Sequence, residues 1–136
     1  MTTTSLFGFA WLALAVAVGL HVLDESLTDF LAVYNPTVLK IRSRFRWIWL
    51  PVFSFKVWIT GLLAGVVLLF ALSPLAFHGV RWVVIAALPL SVIMIGNGVG
   101  HIGSSIYLRR LMPGVYSSPL LIAASTYELI YALRLL

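Results

Sequence analysis

His21, Asp24 and Glu25 crowd one turn of an otherwise apolar stretch, and Asn97 and His101 sit four positions apart in another. Imidazoles and carboxylates are the side chains that ligate transition metals and carry protons near neutral pH. A charged side chain at bilayer depth costs ~2.5–3.5 kcal/mol, so residues placed there face a bundle interior and do chemistry or move ions. Two chemistries fit these types. As ligands, His21, Asp24, Glu25 and His101 supply the donor set of a Zn, Fe or Mn site, with Glu128 a further candidate from later in the chain. Without a metal, Glu25 works as acid or base beside His21, and Asn97 orients a partner or binds substrate.

Helical periodicity groups these residues. Positions i, i+3 and i+4 share a face, so His21, Asp24, Glu25 and Thr28 form one polar stripe. Asn97 and His101 form another, with Ser104 and Ser105 a turn further on. In di-iron bundles a Glu-x-x-His pair projects inward from one helix, and His21-x-x-Asp24 is that pair reversed, with Glu25 as a bridge. Thr28 or Asn97 is then placed to fix an imidazole tautomer.

The surrounding chain must position these stripes inside a membrane. Of 136 residues, 62% are hydrophobic and 10% charged, and the mean hydropathy is +1.08. That is the composition of an integral membrane protein, here a single small membrane domain spanning 1–136. Four segments are long enough to cross the hydrocarbon: about 5–26, with a continuation toward Tyr34 open, then about 51–72, 81–107 and 119–136. Backbone groups in lipid must be satisfied within the segment, which makes these helices and the fold an all-α, four-transmembrane-helix bundle. Asn35-Pro36 and Pro113-Gly114 mark turns, Ser73-Pro74 ends the second helix, and Ser118-Pro119 reads as N-cap and first helical residue. Pro89 is expected inside the third span.

Absent cysteine excludes disulfides, thiolate nucleophiles and cysteine-held clusters. The net charge of +5 sits on loops. Lys40, Arg42, Arg44 and Arg46 follow the first span, and Arg109 and Arg110 precede the fourth. The positive-inside rule places both basic loops in the cytoplasm and both termini outside. No soluble basic domain exists to carry nucleic acid, so the basic residues are assigned to anionic headgroups. Arg109 and Arg110 are also candidates for a substrate headgroup at the mouth of the site. Trp47, Trp49 and Trp82 fall near the expected interfaces. Lys56 could neutralise the acids or snorkel outward, and His78 falls in an outer loop. Gly96, Gly100 and Gly103 carry the small-residue spacing of close helix packing.

His21 lies about 24 Å from the outer end of the first helix at 1.5 Å per residue. Asn97 lies as deep in the third span, which runs the same way, so the two stripes are expected to meet. Glu128 enters from the cytoplasmic side and should lie a turn or more away.

Three of these motifs together resemble the HXXEE family of small membrane proteins. The first is His21-Val22-Leu23-Asp24-Glu25, with Asp in place of the first Glu. The second is Asn97-Gly98-Val99-Gly100-His101. The third is Pro113-Gly114 followed by Ser117 and Ser118. The resemblance implies a multi-helix membrane protein with an enzymatic site built from these residues.

The leading expectation is a membrane-embedded enzyme, metal-dependent or His/carboxylate acid–base, acting on a lipid-soluble substrate from the cytoplasmic half of the bilayer. Hydrolysis and oxidation are both within reach of such a metal. Three other readings stay open. One is a proton or metal-ion transporter working through Glu128. Another is a haem protein with His21 and His101 as axial ligands. The third is an accessory subunit, or a homo-oligomer, whose polar stripe docks a membrane partner.

Overall fold

The computed structural model describes all 136 residues. It is entirely helical, with five helices in chain order: α1 Thr3–Leu27, α2 Phe30–Arg44, α3 Phe55–Phe77, α4 Arg81–Leu108 and α5 Ser118–Arg134. Three of them, α1, α3 and α4, are long and apolar enough to cross a membrane. The extra helix relative to the four expected is α2, which takes up the first basic loop.

Capping explains where α1 begins and ends. The Thr2 side chain accepts a hydrogen bond from the Ser5 amide, satisfying one free donor of the first turn. At the other end, Thr28 donates from both its amide and its hydroxyl to the Asp24 carbonyl. Asp29 then takes a left-handed conformation, φ 57°, which a helix cannot propagate. The chain therefore breaks before Tyr34, and α2 starts afresh at Phe30.

Two expected stops are not stops. Asn35-Pro36 lies inside α2. The Asn35 side chain donates to the Phe53 carbonyl and accepts from the Phe53 amide, pinning α2 against the strand-like return of residues 45–53. Ser73-Pro74 lies inside α3, where Ser73 Oγ bonds the Leu69 carbonyl. α3 runs on to Phe77 and ends at Gly79, whose φ is +63°. The start of α5 is one residue earlier than expected: Ser117 is the cap position and its side chain is used elsewhere. Pro89 is inside α4, as its place in the sequence requires.

α1 packs antiparallel against both α3 and α5, and α5 packs antiparallel against α4. Phe7, Trp11, Ala76, Val83, Val84, Ala87 and Ala132 form one core layer. Leu14, Ala17, Leu121 and Ala124 form a second, nearer the site. Gly98 makes close contact between α4 and α5 possible: a Cβ there would lie 2.7 Å from Ile122 and 3.1 Å from the Ser118 carbonyl oxygen. The expected packing role of Gly96, Gly100 and Gly103 is not what the fold shows. A Cβ on any of the three meets nothing within 4 Å. α3 and α4 barely touch, so these glycines border a cleft rather than a helix contact.

Candidate metal centre

The two polar stripes meet. α1 delivers His21 and Glu25 one turn apart, and α4 delivers Asn97 and His101 at the same level. His21 Nε2 lies 3.0 Å from Asn97 Oδ1 and 3.5 Å from Glu25 Oε1. His101 Nε2 lies 3.1 Å from the same Glu25 oxygen. The two imidazoles stand edge to face with ring centroids 4.9 Å apart. His21 and Glu25 are almost wholly buried, at 4% and 5% exposure. One ligand atom from each of His21, Glu25 and His101 falls within 4.8 Å of the others.

The turn between α4 and α5 closes the cluster. Gly114 has φ +82°, a conformation open to glycine but strained for any other residue. Its position matters as much as its angle. A Cβ there would lie 2.9 Å from His101, 3.0 Å from His21 and 3.1 Å from Glu25. Gly114 is thus the ceiling of the site, where any side chain would collide with three of its members.

Ser117 ties that turn to α1. Its amide and its hydroxyl both donate to Asp24 Oδ2, each at 2.8 Å. Its oxygen also lies 2.8 Å from His21 Nδ1. With the hydroxyl proton directed at Asp24, the serine oxygen accepts from His21 Nδ1–H. The chain Asp24–Ser117–His21 then holds the imidazole as the Nδ1–H tautomer, whose Nε2 lone pair faces two further acceptors, Asn97 Oδ1 and Glu25 Oε1, a convergence that a cation would satisfy. Metal-ligating histidines are oriented in this way by a carboxylate or hydroxyl behind them. The other consistent proton arrangement is the Nε2–H tautomer, which donates to Asn97 Oδ1 and accepts at Nδ1 from the Ser117 hydroxyl, while the Ser117 amide still donates to Asp24.

The expected site residues separate accordingly. His21, Glu25, Asn97 and His101 come together. Asp24 does not join the ligand atoms; it points to the turn and anchors Ser117. Thr28 bonds only the Asp24 carbonyl and fixes no imidazole. Glu128 lies ten residues into α5, about 15 Å from Ser118 along the helix. It is fully buried, and neither carboxyl oxygen has a hydrogen-bond partner. Arg134 does not pair with it but stacks on Tyr131 at 5.0 Å. Arg109 and Arg110 stand exposed at the end of α4, outside the cluster, with Arg109 in a left-handed turn at φ 51°. Lys56 is exposed, and His78 caps the far end of α3.

Two residues with no role assigned from the sequence prove central. Ser117 follows the Pro-Gly turn in the third motif, and only its bond to Asp24 reveals its part. Phe30, first residue of α2, has its ring centroid 5.8 Å from that of His101 and 5.8 Å from that of Trp58. A cavity of about 270 Å³ opens beside the cluster, lined by Phe30, Gly96, Asn97, Gly100, Ser104 and Met112, with His101 on its wall.

Residues 11–127 match the family described as protein of unknown function with HXXEE motif, and the chain belongs to that family. No curated protein and no solved structure matches the chain.

Proposed function

We propose that this HXXEE-family chain is a membrane-embedded, metal-dependent hydrolase acting on a lipid-soluble substrate. The observation carrying the reading is the convergence of His21 Nε2, Glu25 Oε1 and His101 Nε2 in a buried spot beside a cavity. Donors about 2.0–2.2 Å from a metal ion stand about 3.3 Å apart at tetrahedral angles. The Glu25–His101 and Glu25–His21 pairs are 3.1 Å and 3.5 Å apart, close to that spacing, and all three donors lie within 4.8 Å of one another, so the two imidazoles would draw together around an ion. Two histidines and one glutamate with a fourth position free is a ligand set of hydrolytic zinc sites. A divalent ion held there would supply Lewis acidity and a bound water acidified toward neutral pH. The protein's own part is positional. Asp24 and Ser117 fix the His21 tautomer, Gly114 seals one side, and the Asn97 amide, on the cavity wall, orients a substrate carbonyl or its leaving group. Iron or manganese would accept the same donors.

The membrane arrangement in this proposal is a four-span bundle with both termini outside. α5 is 17 residues long, about 25 Å, at the short end of what spans a bilayer. It packs antiparallel to α4 and buries a full face. Lys40, Arg42, Arg44, Arg109 and Arg110 gather at the end of the bundle that holds the site, which the positive-inside rule assigns to the cytoplasm.

A metal-free acid–base enzyme is favoured by one observation: a proton on His21 Nε2 would already lie between the imidazole and the acceptors Asn97 Oδ1 and Glu25 Oε1. Haem ligation fits less well, because the imidazoles meet edge to face with Glu25 between their Nε2 atoms, where a porphyrin plane would have to pass.

Elemental analysis of detergent-purified protein, before and after incubation with Zn, Fe or Mn, tests the reading. A stoichiometric ion in the wild type that is lost in His101→Ala is the expected result. A wild type that holds no ion under any of these conditions overturns the metal reading and leaves the acid–base one.

A further inference from the structure

The cleft between α3 and α4 has a specific shape. Three cavities lie in and beside it, each sharing wall residues with the next: one between α2 and α4, one between α2 and α3, and one between α3 and α4. The one at the site, about 270 Å³, includes Phe30. The next, about 330 Å³, also includes Phe30, with Phe53, Trp58, Gly61 and Leu62. The third, about 300 Å³, shares Gly61 and Leu62 and continues past Gly65 and Leu69, floored by Val18 of α1 and bordered by Leu90 and Met94 of α4. The two cavities away from the site are lined almost wholly by carbon. The cavity at the site carries Asn97, His101 and Ser104.

The glycines keep this path open. A Cβ at Gly61, Gly65, Gly96 or Gly100 would meet nothing within 4 Å. In a bundle such positions ordinarily bring helices into contact; here the space beside them is unfilled. From Trp58 to Leu69, α3 rises about 16 Å. The result is an apolar furrow, open sideways to the bilayer, with one polar end at the His/Glu cluster. Ligand sites share this anatomy: an apolar lining with a few convergent polar groups.

We propose that this furrow binds the tail of a single-tailed amphiphile, whose compact polar head is presented to His101, Asn97 and Ser104. The assignment rests on the enzymatic reading of the site and names the class of its substrate: a long-chain acyl compound that enters laterally from the membrane. Phe30 stands where the tail leaves the head cavity, stacked on Trp58 on one side and against His101 on the other. Its ring therefore divides the polar compartment from the apolar one and sets where along the ligand the reacting bond must fall. The continuity of the furrow with the cluster, through Phe30, distinguishes this occupant from bulk lipid lying on any apolar surface.

A palmitate photoprobe carrying a diazirine in its tail, applied to the whole protein in vesicles, tests the assignment by mapping labelled peptides. Labelling, resolved to single residues by fragmentation, is expected at the furrow residues Leu62, Val66 and Leu69 of α3 and Leu90 and Met94 of α4. Gly65→Phe projects a ring into open space, so the fold is kept while the furrow is filled; labelling there should fall about ten-fold, which corresponds to ~1.4 kcal/mol of binding. Metal content of the same variant should be unchanged. Labelling spread over the outward residues Leu63, Val67 and Phe70 and insensitive to Gly65→Phe would overturn the proposal, leaving bulk lipid contact. So would efficient cross-linking of Gly65→Cys to a second copy of itself in membranes, since a second copy would then occupy the furrow. Saturable furrow labelling in a protein that binds no metal would retain the tail site and discard the metal reading; metal without furrow labelling would do the reverse.

Discussion

Ser117 is the residue on which the cluster's chemistry turns. Its oxygen lies 2.8 Å from both His21 Nδ1 and Asp24 Oδ2, so a single hydroxyl links a carboxylate to an imidazole. Removal of such a supporting group lowers metal affinity about 10- to 100-fold. Ser117→Ala is expected to fall in that range in a competition titration, while Ser117→Thr, which keeps the hydroxyl, stays near the wild type. Equal affinity in the Ala variant would show that His21 needs no second partner. Helical spacing alone brought His21, Glu25, Asn97 and His101 into one expected site, because i, i+4 pairs on two helices leave little freedom. The same geometry explains why Asp24 behaves differently from Glu25. Around the helix Asp24, at i+3, lies about 60° to one side of His21 and Glu25, at i+4, about 40° to the other, so the two acids flank the stripe and reach different neighbours, Ser117 and His101. Ser117 and Gly114 sit on a turn, where no periodicity reports direction, and their roles are visible only in three dimensions. Glu128 shows the same limit: its type suggested a ligand, and its position in α5 separates it from the cluster.

Among the helices, α2 is the one that hydropathy did not reveal. Its composition is basic and mixed, it carries Pro36, and Asn35-Pro36 has the local look of a turn. A proline costs a helix one hydrogen bond at its own nitrogen, and tertiary contacts can outweigh that loss. Here the contacts are the two bonds between Asn35 and Phe53, worth about 0.5–1.5 kcal/mol each, and the stacking of Phe30 on Trp58. Asn35→Ala should therefore loosen the 45–53 segment without disturbing α1 or α4. Limited proteolysis at Arg46 is expected to speed up, with the rest of the chain as resistant as before; an unchanged cleavage rate would mean that the aromatic contacts alone hold the segment. The long apolar helices were legible because about 20 apolar residues in a row admit few alternatives. Their ends were less so, since Pro74 passes inside α3 and the stop falls to Gly79.

The bundle places most of its basic residues and its polar cluster at one end, with Arg81 and Arg134 at the other. Because the chain has no cysteine, single-cysteine variants report sidedness without background. A membrane-impermeant thiol reagent should label Thr2→Cys on intact cells and Ser43→Cys only after permeabilisation. The opposite pattern would invert the proposed orientation and put the cluster on the other side. The link from the Ser117 amide to Asp24 joins residues 93 positions apart. Synthesis runs from the N-terminus, so the turn that carries Ser117 is made after both α1 and α4. Until that turn folds over, the imidazoles and Glu25 lie uncovered; afterwards Gly114 sits on them. Opening of that turn, or passage through the cavity beside Phe30, would therefore be the way in and out for anything the cluster binds.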